Sequence, residues 1–548
     1  MPNLIGQIIF LKVRRIIQLC ICLLFLIIIL TYYVRWSSRS NNQIQFYENA
    51  FDNPFLPQNA FYKKKSNDIV AEQTSYGRSD LAKYIHLDLK GAPPKANKFY
   101  ESFFYFLEKL QMGIKGVLIE YEDMLPLQGN LVNISHRAAY TKSDIALIQD
   151  AAKKHRIEII PLIQTFGHLE WILKLERFKS YRDDLNLPMV ISPCLNNTYI
   201  LLEDLLQQTL DMHPDSNIIH IGCDEVILKY SNSACPETDM SISAIYINHI
   251  RRVVDIVRKI RPGIRILVWD DILRIDQFIN NQNLLNQLKG LVEPVSWNYF
   301  PTFNNQYKSS RAWKIYPKFF MNNWIASAFK GGLHRFSMIT NTTHHVLNNR
   351  EWLHFIASSN FRKESFSAII LTGWSRFDHF MPLCDLLPTA YPSLIYSLYM
   401  LNTDKFLVDD SIHSCEVLLR SVHRDAQLCE SLPGLSIWSG ISSLSMLLRK
   451  IQNRLKILNT IAPEYNRKHL FVRRSELHSR LSELRFLLKD LLSVKKTLDR
   501  RFMELYTEDV IDEWFGLYLT PTANEIDKTF AEFLPVDNKT SWERRPLI

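Results

Sequence analysis

Two adjacent carboxylates, Asp224 and Glu225, close the run IIHIGCDEV that starts at Ile218. Acidic pairs are common in surface turns, but this one follows an apolar, β-branched stretch, which predicts that it emerges from the end of a strand. In a partly desolvated pocket two neighbouring carboxylates cannot both ionise cheaply, so one is pushed to a higher pKa. The raised member is expected to be a general acid. The other is expected to stay ionised and to hold a developing positive charge or orient a substrate donor.

Such a pair works only if other elements bring groups to the same place. The chain alternates β-branched runs with amphipathic stretches, the pattern of βα units around a parallel sheet. Eight strands are predicted: YIHLDL (from Tyr84), GVLIEYE (Gly116), EIIPLIQT (Glu158), IIHIGCDEV (Ile218), RILVWDD (Arg265), LVEPVSW (Leu291), FFMNNWIASA (Phe319) and SAIILTGW (Ser367). Between them, Phe99 to Met112, Ser143 to His155 and Ile242 to Ile260 have helical apolar spacing, the second opened by a Ser-Asp cap signal. Eight repeats over about 300 residues favour an α/β fold of the (β/α)8 TIM-barrel type, placed at 81–400. A doubly wound sheet competes, but no Gly-X-Gly-X-X-Gly follows the first strand.

In such a barrel the active site lies at the carboxyl ends of the strands. Those ends supply Asp88 and Lys90; Glu120, Glu122 and Asp123; Gln164, Thr165 and His168; and Asp224 and Glu225. The later strands add Trp269, Asp270 and Asp271; Trp297 and Tyr299; Asn323 and Trp324; and Trp374, Arg376, Asp378 and His379. Carboxylates mixed with four tryptophans in one ring describe a carbohydrate site. Aromatic faces stack on the C–H faces of a sugar while charged groups bond its hydroxyls.

HIGCDEV resembles the His-X-Gly-X-Asp-Glu signature of glycoside hydrolase family 20, the β-N-acetylhexosaminidases. More narrowly, HLDLKGAPPK, LIEYEDM, PLIQTFGHLE, VWDDIL, LVEPVSW, WIASAFKG, ILTGWSRFDH and CDLLP, in this order, are similar to the D-type branch of that family. The resemblance spans roughly 84 to 395 strongly and the region beyond it loosely. It implies an exo-acting enzyme that removes terminal β-GlcNAc or β-GalNAc from glycans with retention, by substrate assistance through an oxazolinium intermediate. In that scheme Glu225 is the acid and base, Asp224 orients the 2-acetamido group and Tyr299 bonds its oxygen. Trp269, Trp297 and Trp374 wall the pocket, His168 supports the acid or the sugar, and Asp378 bonds a hydroxyl. No metal or organic cofactor is implied.

The chain departs from the pattern where the better-known lysosomal branch carries a hydroxyl-gripping carboxylate two residues after the last-strand Trp; Arg376 stands there instead. Asp378, or Glu120 and Glu122, are left as grips, and the choice between GlcNAc and GalNAc stays open. The N-terminal α/β domain usual in the family has no room ahead of the barrel.

Ile16 to Val34 is an apolar run with Gln18 and Thr31 as its clearly polar members, close to the roughly 20 residues that cross a bilayer. Lys12, Arg14 and Arg15 precede it, which favours a cytosolic arm at 1–15, an N-terminal transmembrane helix at 16–34, a lumenal stem at 35–80 and a lumenal body. A cleaved signal peptide is the alternative. The expectation is a single-pass type II protein of the secretory pathway, with the Golgi as its station. Sequons at Asn133, Asn196, Asn341 and Asn538 agree with that route. Six cysteines fall in the body, where disulfides, with Cys415–Cys429 the easiest pair, and buried thiols both remain open.

Composition excludes other classes. At 47% hydrophobic, 12% aromatic and 22% charged residues the chain is globular. The net charge of +9 permits an acidic partner, but no nucleic-acid motif accompanies it, so no nucleic acid is expected. The region 401–548 carries leucine-rich helical patterns whose Lys and Arg read as solvated faces. A catalytically silent, membrane-anchored glycan-binding protein on the same barrel is the alternative function. A type II glycosyltransferase is disfavoured because the chain has no Asp-X-Asp motif.

Overall fold

The computed structural model describes residues 81–229, 241–358 and 366–538. The arm, the proposed span at 16–34 and the stem lie outside the described residues, as does Cys235. Among the described residues no helix is long and apolar enough to cross a membrane.

Ten strands are present among the described residues: β1 (Ala82–Asp88), β2 (Ile114–Glu120), β3 (Glu158–Leu162), β4 (Arg182–Asp184), β5 (Leu187–Ile191), β6 (Ile218–His220), β7 (Arg265–Trp269), β8 (Glu293–Trp297), β9 (Asn323–Lys330) and β10 (Phe366–Gly373). Eight of them close into a barrel in the order β1-β10-β9-β8-β7-β6-β3-β2, with every neighbouring pair parallel. All eight predicted runs supply a barrel strand. The antiparallel hairpin β4–β5 is an addition in the loop after β3.

Inward-facing side chains fill the barrel with Tyr84, Leu118, Ile160, Leu162, Ile218, Leu267, Trp269, Val295, Trp324 and Ile370. The outer helices follow the sequence pattern with small shifts at their ends. Ala96–Leu110 stops before Met112 because Gln111 turns left-handed, at φ 51°. Lys142–Lys154 is opened by Thr141 rather than by Ser143. Thr141 and Asp144 form a reciprocal capping box that satisfies two end amides.

Beyond the barrel, Leu435–Ile461 packs on Arg474–Leu505, whose buried face carries Leu477, Leu481, Leu484, Leu491, Leu498 and Phe502. Glu508–Tyr518 and Thr520–Asp537 complete this helical region. It is tied to the carboxyl end of the barrel by Lys95 N–H donating to Leu505 O (2.7 Å) and Tyr518 Oη donating to Leu383 O (3.0 Å). Cys415 and Cys429 form a disulfide, Cys194 is also disulfide-bonded, and Cys223 and Cys384 are buried thiols, so both open alternatives for the cysteines occur.

Candidate active site

β6 ends at His220, so the acidic pair sits on the loop that follows it. Two close approaches fix that loop. A Cβ on Gly222 (φ +69°) would lie 1.9 Å from Gln164 Oε1, and one on Gly167 would lie 2.3 Å from the Asp224 carbonyl oxygen. Glycine at both positions lets the loops after β3 and β6 touch. Gln164 Nε2 then donates to Asp224 Oδ1 (3.0 Å), and its Oε1 accepts from Cys223 N–H (3.2 Å). His168, itself left-handed at φ 51°, brings Nε2 to 3.2 Å from Glu225 Oε2 and 3.7 Å from Asp224 Oδ2.

The charge distribution differs from the sequence expectation. Asp224 is buried, whereas the Glu225 side chain is 57% exposed. Burial pushes Asp224 up to about 7; His168 opposes this, and Asp271, Glu225 and Glu120 add to it. The hydrogen bond from His168 holds Glu225 below the usual carboxylate range. The raised member of the pair is therefore Asp224, not the residue to which the family pattern gives the acid role. Burial alone would make His168 neutral, but Asp224, Glu225 and Glu170 outweigh it and hold the imidazolium to about 10.

Facing the pair is a box of rings. Trp269, at the end of β7, lies 4.3 Å from the His220 ring and 6.1 Å from Trp374. Trp297 stacks on Tyr299 at 5.3 Å, and Tyr299 meets Trp374 edge-on at 6.3 Å. Gly332 leaves room between them, since a Cβ there would touch Tyr299 at 3.3 Å and Trp374 at 3.4 Å. Burial raises the Tyr299 phenol, and the charges of Asp224 and Glu225 act on it in the same direction.

The fourth tryptophan expected at the rim is not there. β9 runs on to Lys330, which leaves Trp324 as its second residue at the amino end of the barrel. Its ring packs on Tyr84 (5.0 Å) and its N–H donates to Glu293 Oε2 (2.8 Å).

The remaining wall comes from β1, β2 and the loop after β3. Lys90, fully buried over the Trp374 ring, stands 3.6 Å from both Glu120 and Glu122. Glu170, which the sequence reading missed, lies 3.8 Å from His168 Nδ1. Its only signal was the sequence GHLE, where it follows His168 by two positions. Glu120 is met by His86 Nε2 at 3.3 Å as well as by Lys90, whereas both carboxylate oxygens of Glu170, His220 Nε2 and Trp269 Nε1 are buried without a hydrogen-bond partner in the protein. Buried polar atoms left in that condition call for an explanation, and polar ligand groups provide one.

Arg376, which stands in the place of the family's gripping carboxylate, is committed elsewhere, and Asp378, an expected grip, is engaged through one oxygen. Arg376 forms a bidentate pair with Glu513 of the Glu508–Tyr518 helix and also donates to Met381 O (2.6 Å), facing a side cleft shared with that helix. Asp378 spends Oδ1 on the amides of Phe380 (2.7 Å) and Met381 (3.0 Å). Glu122, Asp123 and His379 bring three possible metal-ligand atoms within 4.8 Å of one another. The Lys174 ammonium already sits among them, 2.6 Å from His379 Nε2 and 3.4 Å from Asp123 Oδ2, and supplies the positive charge there.

The model of the glycosyl hydrolase family 20 catalytic domain matches residues 87–293. Hexosaminidase D of Homo sapiens is 31% identical over 455 residues, which cover 81% of this chain and 92% of the relative. Hexosaminidase D of Bos taurus is 36% identical over 321 residues, 58% of this chain and 91% of the relative. Among solved structures, a β-N-acetylhexosaminidase from Bacteroides fragilis aligns with a TM-score of 0.44 at 12% identity, over 64% of this chain and 72% of that one.

Proposed function

The chain belongs to glycosyl hydrolase family 20 and is a β-N-acetylhexosaminidase, and we propose that it works by substrate assistance on terminal β-GlcNAc or β-GalNAc. The observation that carries this reading is the placement of Asp224 and Glu225, bridged by His168, opposite the Trp269–Trp297–Tyr299–Trp374 box. The box holds the sugar and its acetamido methyl, and Tyr299 donates to the acetamido oxygen. That oxygen attacks C1 while the bond from C1 to the glycosidic oxygen breaks and Glu225 gives the leaving oxygen its proton. Asp224 accepts the acetamido N–H and balances the positive charge of the oxazolinium ion. Water then attacks C1, gives its proton to Glu225 and opens the oxazoline ring.

Burial raises Asp224 and His168 lowers Glu225, so below pH of about 7 the proton of the pair favours Asp224 in the unliganded protein. Substrate reverses the order. A sugar over Glu225 removes its solvent and raises its pKa, while the acetamido N–H stabilises ionised Asp224 and lowers its pKa. The sugar hydroxyls fall to Glu120, Lys90 and the second oxygen of Asp378, whose Oδ1 serves its own turn, because Arg376 is bound to Glu513.

Turnover of both 4-nitrophenyl β-GlcNAc and β-GalNAc is expected. Glu225→Gln should lower it by roughly 10² to 10⁴ and Asp224→Asn by roughly 10² to 10³. Binding of GlcNAc without turnover at any pH would leave only a glycan-binding protein. An undiminished Asp224→Asn variant would rule out substrate assistance.

The body is further proposed to be lumenal, anchored through residues 16–34; the apolar run and the Cys415–Cys429 disulfide support this, since disulfides persist in oxidising compartments. The protein should stay with membranes through alkaline carbonate extraction and be released when 16–34 is deleted. Extraction of the intact chain would end that reading.

A further inference from the structure

The proposed acid, Glu225, stands on an unusual stretch of backbone. Gly222, Cys223 and Glu225 all have left-handed φ values, +69°, +73° and +50°. For a non-glycine residue this conformation is strained and persists only where neighbours enforce it. Three side chains do so. Gln164 Oε1 accepts from Cys223 N–H (3.2 Å), Tyr246 Oη donates to Cys223 O (2.7 Å), and Asp271 Oδ2 accepts from Glu225 N–H (2.9 Å). Asp271 alone of these acts on Glu225 itself. Beyond the backbone, Glu225 is held by His168, and its side chain is otherwise open to solvent.

The second oxygen of Asp271 has a different partner. Oδ1 accepts from Trp297 Nε1 (3.4 Å), the indole that stacks on Tyr299 in the ring box. One carboxylate thus ties the backbone of the acid to the wall of the acetamido pocket. The two events of the first step, proton delivery to the leaving oxygen and attack by the acetamido oxygen, must occur on one sugar at one spacing. Arg274, a cation whose charge acts on Asp271, is engaged with Asp270 at 3.0 Å, and the Asp271 oxygens accept from these two N–H donors.

We infer that Asp271 is a positioning residue for the general acid, fixing Glu225 at the distance from the acetamido pocket that proton transfer requires. The inference rests on the reading of Glu225 as the acid, and the test separates the two. A phenyl β-GlcNAc needs a proton on its departing oxygen, whereas a 2,4-dinitrophenyl β-GlcNAc leaves without one. Asp271→Ala should cost the phenyl glycoside roughly 10²-fold in kcat/KM, the penalty of a misplacement on the order of 1 Å, and the dinitrophenyl glycoside less than about threefold. Asp271→Asn, which can accept from only one of the two N–H groups, should fall between, and it carries the test if the Ala variant does not fold. Equal losses on both glycosides would overturn the inference, since damage to the fold or to the acetamido wall does not depend on the leaving group. Glu225→Gln is the control. If it lacks the leaving-group split, the acid assignment itself fails, whatever Asp271 does.

Discussion

The two ends of the barrel use the same residue types for opposite purposes. At the amino end, Trp324 N–H donates to Glu293, Arg265 grips both oxygens of Glu293 at 2.7 Å, and Tyr84 donates to Glu158 at 2.6 Å. Every one of these polar groups has its partner inside the protein. At the carboxyl end, Glu170 keeps both carboxylate oxygens, and Trp269 its indole N–H, buried without a hydrogen-bond partner in the protein. A net hydrogen bond contributes only about 1 kcal/mol, but a buried polar group left unpaired costs about 1–3 kcal/mol. The amino end is therefore built for stability, and the carboxyl end gives stability up for binding.

Trp269 and Trp324 allow the sharpest test, because both are fully buried in the same barrel core. Replacing either with Phe leaves a similar void, so the difference between the variants isolates the indole N–H. Trp324→Phe removes one hydrogen bond from Glu293, whose oxygens keep Arg265, and should lower stability by about 0.5–1.5 kcal/mol more than Trp269→Phe, read from denaturant midpoints. The kinetic order should be the reverse. Trp269→Phe is expected to raise KM for N-acetylhexosaminides by roughly tenfold, the worth of one well-placed aromatic contact, while Trp324→Phe leaves kcat and KM unchanged. Equal stability losses with unchanged kinetics in both would erase the distinction between the two ends.

Residue type and strand position made much of the molecule legible. The eight barrel strands follow from apolar β-branched runs, and the IIHIG stretch puts Asp224 and Glu225 at a strand end. What failed to read through has physical reasons. Trp324 looked like a rim residue because the apolar run from Phe319 reads as a strand that ends near it, whereas β9 begins there and continues to Lys330. Arg376 could be seen to replace a carboxylate, but its partner Glu513 is 137 positions away and no local pattern announces it. The raised member of the acidic pair was not assignable either. Adjacent carboxylates differ here only in burial and in which one His168 faces, and both depend on loop conformations at Gly222, Cys223 and Glu225. Asp271 was visible as the second acid of VWDD, but nothing in the sequence distinguishes it from Asp270, which is bound to Arg274 and Ser296.

The smallest predicted effect is one of pH, and it belongs to the carboxyl end alone. Activity needs one proton shared by Asp224 and Glu225, so kcat/KM should fall above pH of about 7 as the proton on Asp224 is lost, and fall again in acid as Glu225 becomes protonated as well. His168 is a cation throughout this range, because its carboxylate neighbours hold it to about 10. A cation beside two carboxylates favours their ionised forms and keeps both limbs lower than they would otherwise be. His168→Asn removes that charge while keeping a side chain able to donate. Both limbs should then move to higher pH, by up to about one unit, which at 1.4 kcal/mol per unit is a modest electrostatic change. Trp324→Phe, at the other end of the barrel, should leave the profile where it was. A His168→Asn profile that moved to lower pH, or did not move, would mean that the imidazolium does not set the proton affinity of the pair.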